Sequence, residues 1–287
     1  MLDKIIPKKI IYLAELIRLK KPIGIWLLMW PCWFAMANLQ YGTFDLIYWY
    51  ILFLIGAFFM RSAGCIINDI IDIKLDKKIK RTSNRPLTSK KISIYEAIIF
   101  LLLLIFLSLI VLFQFNTKSI LIGLLSLPII IIYPFLKRYT YWPQLGLGLA
   151  FNWGVLIVSV EFLGNITFDF LLLYIACIFW TLAYDTIYAY QDKEDDIQNN
   201  IKSTAVLFGN KGHYYVQFFY AIFFIIIGFL GYISSKSFYS LIVIISLFFV
   251  IRIYLNKWKL DSVKSSLHYF KFNNIIGLLL FLYLLIF

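Results

Sequence analysis

The chain is poor in charge. Only 15% of its 287 residues are Asp, Glu, Lys or Arg, where a soluble domain carries about a quarter. A separate solvated domain is thereby excluded. Histidine is almost missing: His213 and His268 stand alone, which points to structural or surface roles rather than catalysis. The cysteines Cys32, Cys65 and Cys177 are scattered through apolar segments without metal-site spacing, and are read as packing residues. No nucleic-acid motif is present, so the formal charge of +12 is read as the Lys/Arg excess of cytoplasmic loops and not as a nucleic-acid surface. No small-residue cleavage site follows the basic, mildly amphipathic stretch 1–22. That stretch reads as a cytoplasmic lead-in, a short interfacial helix carrying Lys8, Lys9, Arg18, Lys20 and Lys21, and not as a removable signal.

What the chain has is apolar length. It is 62% hydrophobic, and runs long enough to cross a bilayer recur from end to end. Nine spans are predicted, at about 23–41, 46–67, 93–114, 119–136, 143–163, 170–190, 214–233, 237–255 and 271–287. Residues 1–287 therefore read as one all-α, polytopic membrane domain of about nine transmembrane helices. The fourth span contains Pro128 and Pro134, and the ninth is short.

Charge orders these spans across the membrane. With a cytoplasmic N-terminus, one side collects the bases of the lead-in, then Lys74 through Lys91, Lys137 and Arg138, Lys193, Lys202 and Lys211, and Lys257, Lys259 and Lys264. The other side holds little beyond Lys118 and Lys236. This asymmetry predicts N-in, C-out. The same side receives two long loops, each following an acidic stretch and each rich in basic and hydroxyl residues: Arg81-Thr82-Ser83-Asn84-Arg85-Pro86, preceded by Lys80, and Lys202-Ser203-Thr204.

The acidic stretches carry the chemistry. The first runs Asn68-Asp69-Ile70-Ile71-Asp72-Ile73-Lys74-Leu75-Asp76; the second spans Asp185 to Asp196. If the second span continues as helix beyond the membrane edge, Asn68, Asp72 and Asp76 fall at i, i+4, i+8 on one face, and Asp69 joins Asp72 and Asp76 at i, i+3, i+7. In the sixth span Asp185, Tyr188, Asp192 and Asp196 follow i, i+3, i+7, i+11. Carboxylates at a bilayer edge are costly and need compensation. An oxygen-only donor set suits Mg²⁺ shared with phosphate and disfavours Zn²⁺. Asn68, Asp69, Asp72, Asp76, Asp192 and Asp196 are the candidate metal ligands. For Asp69, helix capping or pairing with loop bases is the alternative. Asp185 lies deepest and is a candidate orienting group. Arg61, two turns before Asn68, needs an anion, either Asp185 or a substrate. Lys137 and Arg138, just after Tyr133, are placed to neutralise a phosphate or fix a carboxylate.

These stretches resemble a family. Arg18-Leu19-Lys20-Lys21-Pro22-Ile23-Gly24, Arg61-Ser62-Ala63-Gly64-Cys65 with Asn68-Asp69-x-x-Asp72-x-x-x-Asp76, and Arg81-Thr82-x-x-Arg85-Pro86-Leu87 come first. Tyr133-Pro134-Phe135-Leu136-Lys137-Arg138, Tyr184-Asp185-Thr186-Ile187-Tyr188-Ala189 with Asp192-x-x-x-Asp196, and Ile201-Lys202-Ser203-Thr204-Ala205 follow in order. The set is similar to the UbiA-type intramembrane prenyltransferases, and most of all to their 4-hydroxybenzoate branch in ubiquinone biosynthesis. One departure stands out: Ile73 occupies a position where similar members often carry Arg, so that diphosphate contact is absent or falls to Lys74.

The resemblance implies a bundle around a central cavity, open to lipid and roofed by the two loops. It implies Mg²⁺, a polyprenyl diphosphate and 4-hydroxybenzoate as substrates, and prenylation of the ring carbon beside the hydroxyl. Asp72, Asp192 and Asp185 would be catalytic. Substrate contacts would come from Arg138 (the acceptor carboxylate, with Arg61 second), from Lys137, Lys202, Arg81 and Arg85 (the pyrophosphate), and from Tyr133 and Tyr188. Naphthoate, haem or a chlorin are the rival acceptors. A cation-coupled transporter would also bury Asp and Arg, but at the midplane on broken helices; here the carboxylates sit at one edge beside basic loops. The implied setting is a bacterial inner membrane, and no feature calls for an obligate protein partner.

Overall fold

In the computed structural model, residues 7–39, 46–79 and 81–287 are described. The first six residues of the lead-in, the end of the first predicted span and Lys80 lie outside them. The described chain is helical, with no strand among the described residues. In a bilayer, where water cannot satisfy backbone N–H and C=O groups, helices close those bonds within each segment.

The elements in order are α1 (Lys8–Leu16), α2 (Ile23–Ala37), α3 (Ile47–Asp76), α4 (Ile94–Leu112), α5 (Thr117–Leu125), α6 (Leu127–Ile132), a 3₁₀ turn at Tyr133–Phe135 and α7 (Leu136–Tyr139). Then come α8 (Pro143–Phe151), α9 (Gly154–Leu163), α10 (Phe168–Ala189), α11 (Lys193–Gln198), α12 (Thr204–Phe208), α13 (Gly212–Ser235), α14 (Phe238–Leu255) and α15 (Val263–Ile286). Among the described residues eight helical stretches are long and apolar enough to cross a membrane, and α2 is a shorter apolar helix.

The differences from the predicted spans have local causes. The fourth span is broken into α5, α6, the 3₁₀ turn and α7, because Pro128 and Pro134 each lack a donor for the helical ladder. The fifth splits at Asn152, whose side chain donates to the Gly148 carbonyl at 2.7 Å and to Thr181 Oγ1 at 2.9 Å. The ninth begins at Val263, earlier than hydropathy suggests. Its first turns are polar, but Ser262 caps it by accepting from the Ser265 N–H, and Ser266 accepts from the Trp258 indole at 3.0 Å. The second span does continue as helix past the apolar run. Thirty residues make α3 about 45 Å long, more than the ~30 Å hydrocarbon core.

The chain forms two compact units. The first comprises the described residues up to Trp26 together with Ile51–Phe115. Its core is Leu16, Ala63, Ile66, Leu87, Ile92, Ala97 and Leu104, so the end of α1, the middle of α3, the following loop and α4 share one apolar centre. A capping box starts α4: Ser93 Oγ accepts from the Glu96 N–H and the Glu96 carboxylate accepts from the Ser93 N–H. Lys9 of α1 forms an ion pair with that same Glu96. The outer face of α4, with Ile99, Leu102, Leu103 and Phe106 exposed, has the character of a lipid-facing surface.

The second unit is Leu27–Tyr50 with Asn116–Phe287. It is built round α10, of whose apolar window 72% is buried. Helices α8, α9, α13 and α15 pack against it. Asn273 of α15 is fully buried and ties three helices: its Oδ1 accepts from Trp180 Nε1 of α10 at 2.8 Å and from Tyr220 OH of α13 at 2.7 Å. The three cysteines are buried, in keeping with packing roles.

Candidate active site

The first acidic stretch occupies the last two turns and more of α3. The segment stays helical because nothing between Gly64 and Pro86 breaks it and its Ile-rich face feeds the first unit's core. Asp69, Asp72 and Asp76 are all buried, at 1, 5 and 4% exposure; Asn68 is half-buried. Buried carboxylates require partners. Arg18 Nη2 donates to Asp69 Oδ1 at 2.7 Å. Arg85 Nη1 donates to the same oxygen at 3.0 Å and to Asp76 Oδ2 at 2.7 Å.

The loop after α3 is folded so that Arg85 can do this. Thr82 Oγ1 donates to the Asp76 carbonyl at 3.0 Å, and the Arg85 N–H donates to the Thr82 carbonyl at 3.0 Å, turning the chain back over the helix end. Arg81 lies exposed on this loop. Lys74, beside Ile73, is exposed as well. Two turns earlier on α3, Arg61 contacts Cys65, and its guanidinium lies over Gly24, where any side chain would collide with it. Gly24 thus leaves room for the Arg61 guanidinium in this position.

The second acidic stretch does not form the single stripe expected of it. α10 ends at Ala189, the chain turns, and Asp192 stands at the N-cap position of the separate helix α11. Asp185 and Tyr188 remain on α10, while Asp192 and Asp196 belong to α11. The cause is legible afterwards: Asp192 followed by Glu194, Asp195 and Asp196 is the acidic signature of a helix start, complementary to the N-terminal end of the dipole. Tyr190 locks the break, with its hydroxyl donating to the Gly209 carbonyl at 2.6 Å and its ring edge-on to Trp258. Asp196 is buried and accepts from Ser203 Oγ at 3.1 Å. Asp185 is half-buried, and Tyr188 packs on Phe270 of α15 with 4.6 Å between ring centres.

Within this second unit the basic residues gather near α11. The Lys202 N–H donates to the Lys137 carbonyl at 2.9 Å, and Lys202 Nζ donates to the Tyr139 carbonyl at 3.0 Å. A cavity of about 240 Å³ lies here, lined among others by Tyr141, Asp196, Asn200, Ile201 and Lys202. Arg138 is exposed, its guanidinium over the Phe135 ring, and Tyr133 is half-buried in the 3₁₀ turn. Three residues to which sequence reasoning gave no site role hold the Lys202 segment. Gln144 Oε1 accepts from the Thr204 N–H at 3.2 Å, and the Thr186 and Thr204 hydroxyls share a hydrogen bond of 2.7 Å. Arg18 was also missed as a site residue, although it opens the Arg18–Gly24 stretch.

The donor set fits a hard divalent cation in its chemistry: oxygens only, without thiolate or imidazole. Among the described residues no three His, Cys, Asp or Glu side chains form one metal-holding group. Mg²⁺ keeps several waters and takes one or two carboxylates together with substrate phosphate oxygens.

Comparison with known proteins places these residues in context. The profile of the UbiA prenyltransferase family matches residues 28–275. The chain is 42% identical over 269 residues to a 4-hydroxybenzoate octaprenyltransferase of Francisella tularensis subsp. mediasiatica, covering 93% of this chain and 94% of that one. It is 40% identical over 273 residues to the mitochondrial 4-hydroxybenzoate polyprenyltransferase of Drosophila pseudoobscura pseudoobscura, covering 94% and 68%. Two solved structures share the fold. A UbiA homologue of Aeropyrum pernix K1 superposes with a TM-score of 0.74 at 22% identity, over 92% of this chain and 97% of that one. A UbiA homologue of Archaeoglobus fulgidus, solved with GPP and Mg²⁺ bound, superposes with a TM-score of 0.70 at 19% identity, over 96% and 100%.

Proposed function

Because this chain belongs to the UbiA prenyltransferase family, we propose that it transfers a polyprenyl group from a polyprenyl diphosphate to 4-hydroxybenzoate, as a multi-pass membrane enzyme of ubiquinone biosynthesis. The observation that carries the reaction class is the end of α3, where buried carboxylates and guanidiniums share one helix end. That balance of charges suits a cation–polyanion pair. The choice of acceptor is supported by the likeness to proteins named for 4-hydroxybenzoate.

In this reading each unit's own donors would take Mg²⁺ and diphosphate: Asn68, Asp72 and Asp76 on α3, and Asp192 and Asp196 at α11. Bound Mg²⁺ supplies Lewis-acid stabilisation of the negative charge that grows on the leaving group. Lys137, Lys202, Arg81 and Arg85 would add fixed positive charge for the diphosphate, an electrostatic contribution that needs no reorganisation during the reaction. The allylic C–O bond breaks and its electron pair leaves with pyrophosphate. The ring carbon ortho to the hydroxyl then bonds to the allylic carbon. The ring proton passes to a base, Asp185 or the released pyrophosphate. Arg138, with Arg61 second, fixes the acceptor carboxylate, and Tyr133 and Tyr188 belong to the substrate-lining set. The two loops exclude water and so protect the carbocation from hydrolysis. In this reading the N-terminus and both acidic stretches face the cytoplasm across a bacterial inner membrane, the side that the Lys/Arg excess of the loops favours.

The test is a transfer assay on purified protein with radiolabelled 4-hydroxybenzoate, prenyl diphosphates of several lengths, competing acceptors and varied Mg²⁺. Wild-type protein forms prenylated hydroxybenzoate only with Mg²⁺. Asp72→Ala and Asp192→Ala remain inserted and folded but lose transfer. Full activity in either variant, or a preferred acceptor other than 4-hydroxybenzoate, refutes the corresponding part.

A further inference from the structure

Asp69 differs from the other carboxylates of α3 in what it holds. Its Oδ1 accepts from two guanidiniums, Arg18 at 2.7 Å and Arg85 at 3.0 Å, and its side chain is 2% exposed. A carboxylate oxygen offers about two lone-pair sites, so two charge-assisted bonds fill this one. A metal ion at that oxygen would have to displace at least one of them. Of the two guanidiniums Asp76 holds Arg85, through Oδ2.

The backbone supplies a second, independent observation. Arg18 has φ +57°, in the left-handed region, at the end of α1. Glycine adopts that conformation freely, and Asn far more readily than Arg. The turn itself is made by main-chain bonds, Arg18 N–H to the Glu15 carbonyl at 3.0 Å and Lys21 N–H to the Arg18 carbonyl at 2.8 Å, which glycine would make equally well. Such strain is found at functional positions but also at exposed turns such as Lys90 and Lys236, so what distinguishes Arg18 is its side chain. Here the side chain is the guanidinium delivered to Asp69. Leu16, fully buried in the first unit's core, fixes the α1 end from which it reaches.

We infer that Asp69 is a positioning residue rather than a metal ligand: it anchors Arg18 and Arg85 beside Asp72 and Asp76 as fixed cations for the donor's diphosphate. Once Asp76 turns to a cation, Asp69 is the remaining anchor of Arg85. Two guanidiniums on one carboxylate leave that triad with one positive charge, which offsets part of the negative charge of the neighbouring Asp72 and Asp76 when a polyanion binds. The inference rests on the prenyl-transfer reading of the same residues and adds Arg18 to the diphosphate-binding set.

The test uses the full chain in lipid nanodiscs and two readouts: Mn²⁺ affinity without substrate, by electron paramagnetic resonance, and KM for the prenyl diphosphate. Asp69→Asn is expected to keep Mn²⁺ affinity within about twofold of wild type while raising KM about tenfold, the scale of one lost hydrogen bond to a charged group. Arg18→Gly relaxes the left-handed backbone and should raise KM by a similar factor. Arg18→Lys, which keeps the charge, recovers part of that rise. The inference is overturned if Asp69→Asn weakens Mn²⁺ binding as much as Asp72→Asn does. It is overturned equally if KM stays unchanged in Asp69→Asn or in Arg18→Gly, and the glycine variant decides alone should Asp69→Asn fail to fold. An Asp72→Asn protein with normal Mn²⁺ affinity and normal transfer would instead defeat the proposed function, a separate outcome.

Discussion

Replacing Asn273 by leucine probes what holds the second unit together. Asn273 has no exposed surface, and its Oδ1 is the partner of two donors, the Trp180 indole at 2.8 Å and the Tyr220 hydroxyl at 2.7 Å. Its Nδ2 donates back to the Tyr269 carbonyl one turn earlier at 3.1 Å. Leucine has a similar branched shape but no acceptor, so both donors are stranded in an apolar interior. In water-soluble proteins a stranded buried donor costs about 1–3 kcal/mol. Within a bilayer the value is lower, averaging ~0.6 kcal/mol and reaching ~1.7, because the unfolded helices find other partners in the membrane. The membrane scale governs here, and two donors give about 1–3 kcal/mol of destabilisation. Trp180→Phe removes one of those donors while keeping an aromatic ring against Phe223, on which Trp180 stacks with 5.5 Å between centres. In the Asn273→Leu background its N–H has already lost its partner, so Trp180→Phe should cost less there than in wild type. Reversible unfolding of the full chain in mixed detergent–SDS micelles, run as a double-mutant cycle, measures both quantities. If Asn273→Leu lies within about 0.3 kcal/mol of wild type, or the cycle shows no coupling, the hub does not bind α15 to α10 and α13 in the way its geometry indicates.

Two further substitutions test packing and backbone. In Gly277→Ala the new methyl group falls on the Trp30 indole, so close approach of α15 to α2 is lost at a cost of about 1–3 kcal/mol. Gly64→Ala is its control, since nothing lies within 4 Å of a methyl group there and only helix propensity changes; equal destabilisation of both refutes the clash argument. Lys236 closes α13 at φ 52°, ψ 24° with an exposed side chain. Lys236→Gly should raise stability by about 0.5–1 kcal/mol, as Gly164 already does the same task after α9 at φ 77°. A lower unfolding midpoint in Lys236→Gly would show that the lysine side chain matters more than its backbone.

The sequence and the structure agree best where the bilayer leaves one solution. The predicted spans reappear as helices because each apolar run must satisfy its own backbone, and α3 runs on to Asp76 because no residue in that stretch interrupts it. Disagreement begins where side chains of distant segments intervene. The ninth span looked short because Lys264, His268, Lys271, Asn273 and Asn274 lower its hydropathy. Each of His268, Asn273 and Asn274 has a partner that makes it compatible with helix: Tyr254, then Trp180 with Tyr220, and Trp30. The stripe from Asp185 to Asp196 failed for the opposite reason. Periodicity was followed through a point where Asp192 and the acids after it mark a new helix start.

For the candidate site, sequence alone determined the residue types and, for Asn68 to Asp76, the helix that carries them. Those properties depend on neighbours within a turn or two and on the cost of placing charge in lipid. Only tertiary structure decided how the carboxylates are used. Asp69 meets Arg18 across 51 positions of sequence and Arg85 across 16, and Lys202 meets Tyr139 across 63. Flexible arginine and lysine side chains can reach several anions. Which one they hold is set by where the folded backbone puts their Cα atoms, and no local pattern encodes that.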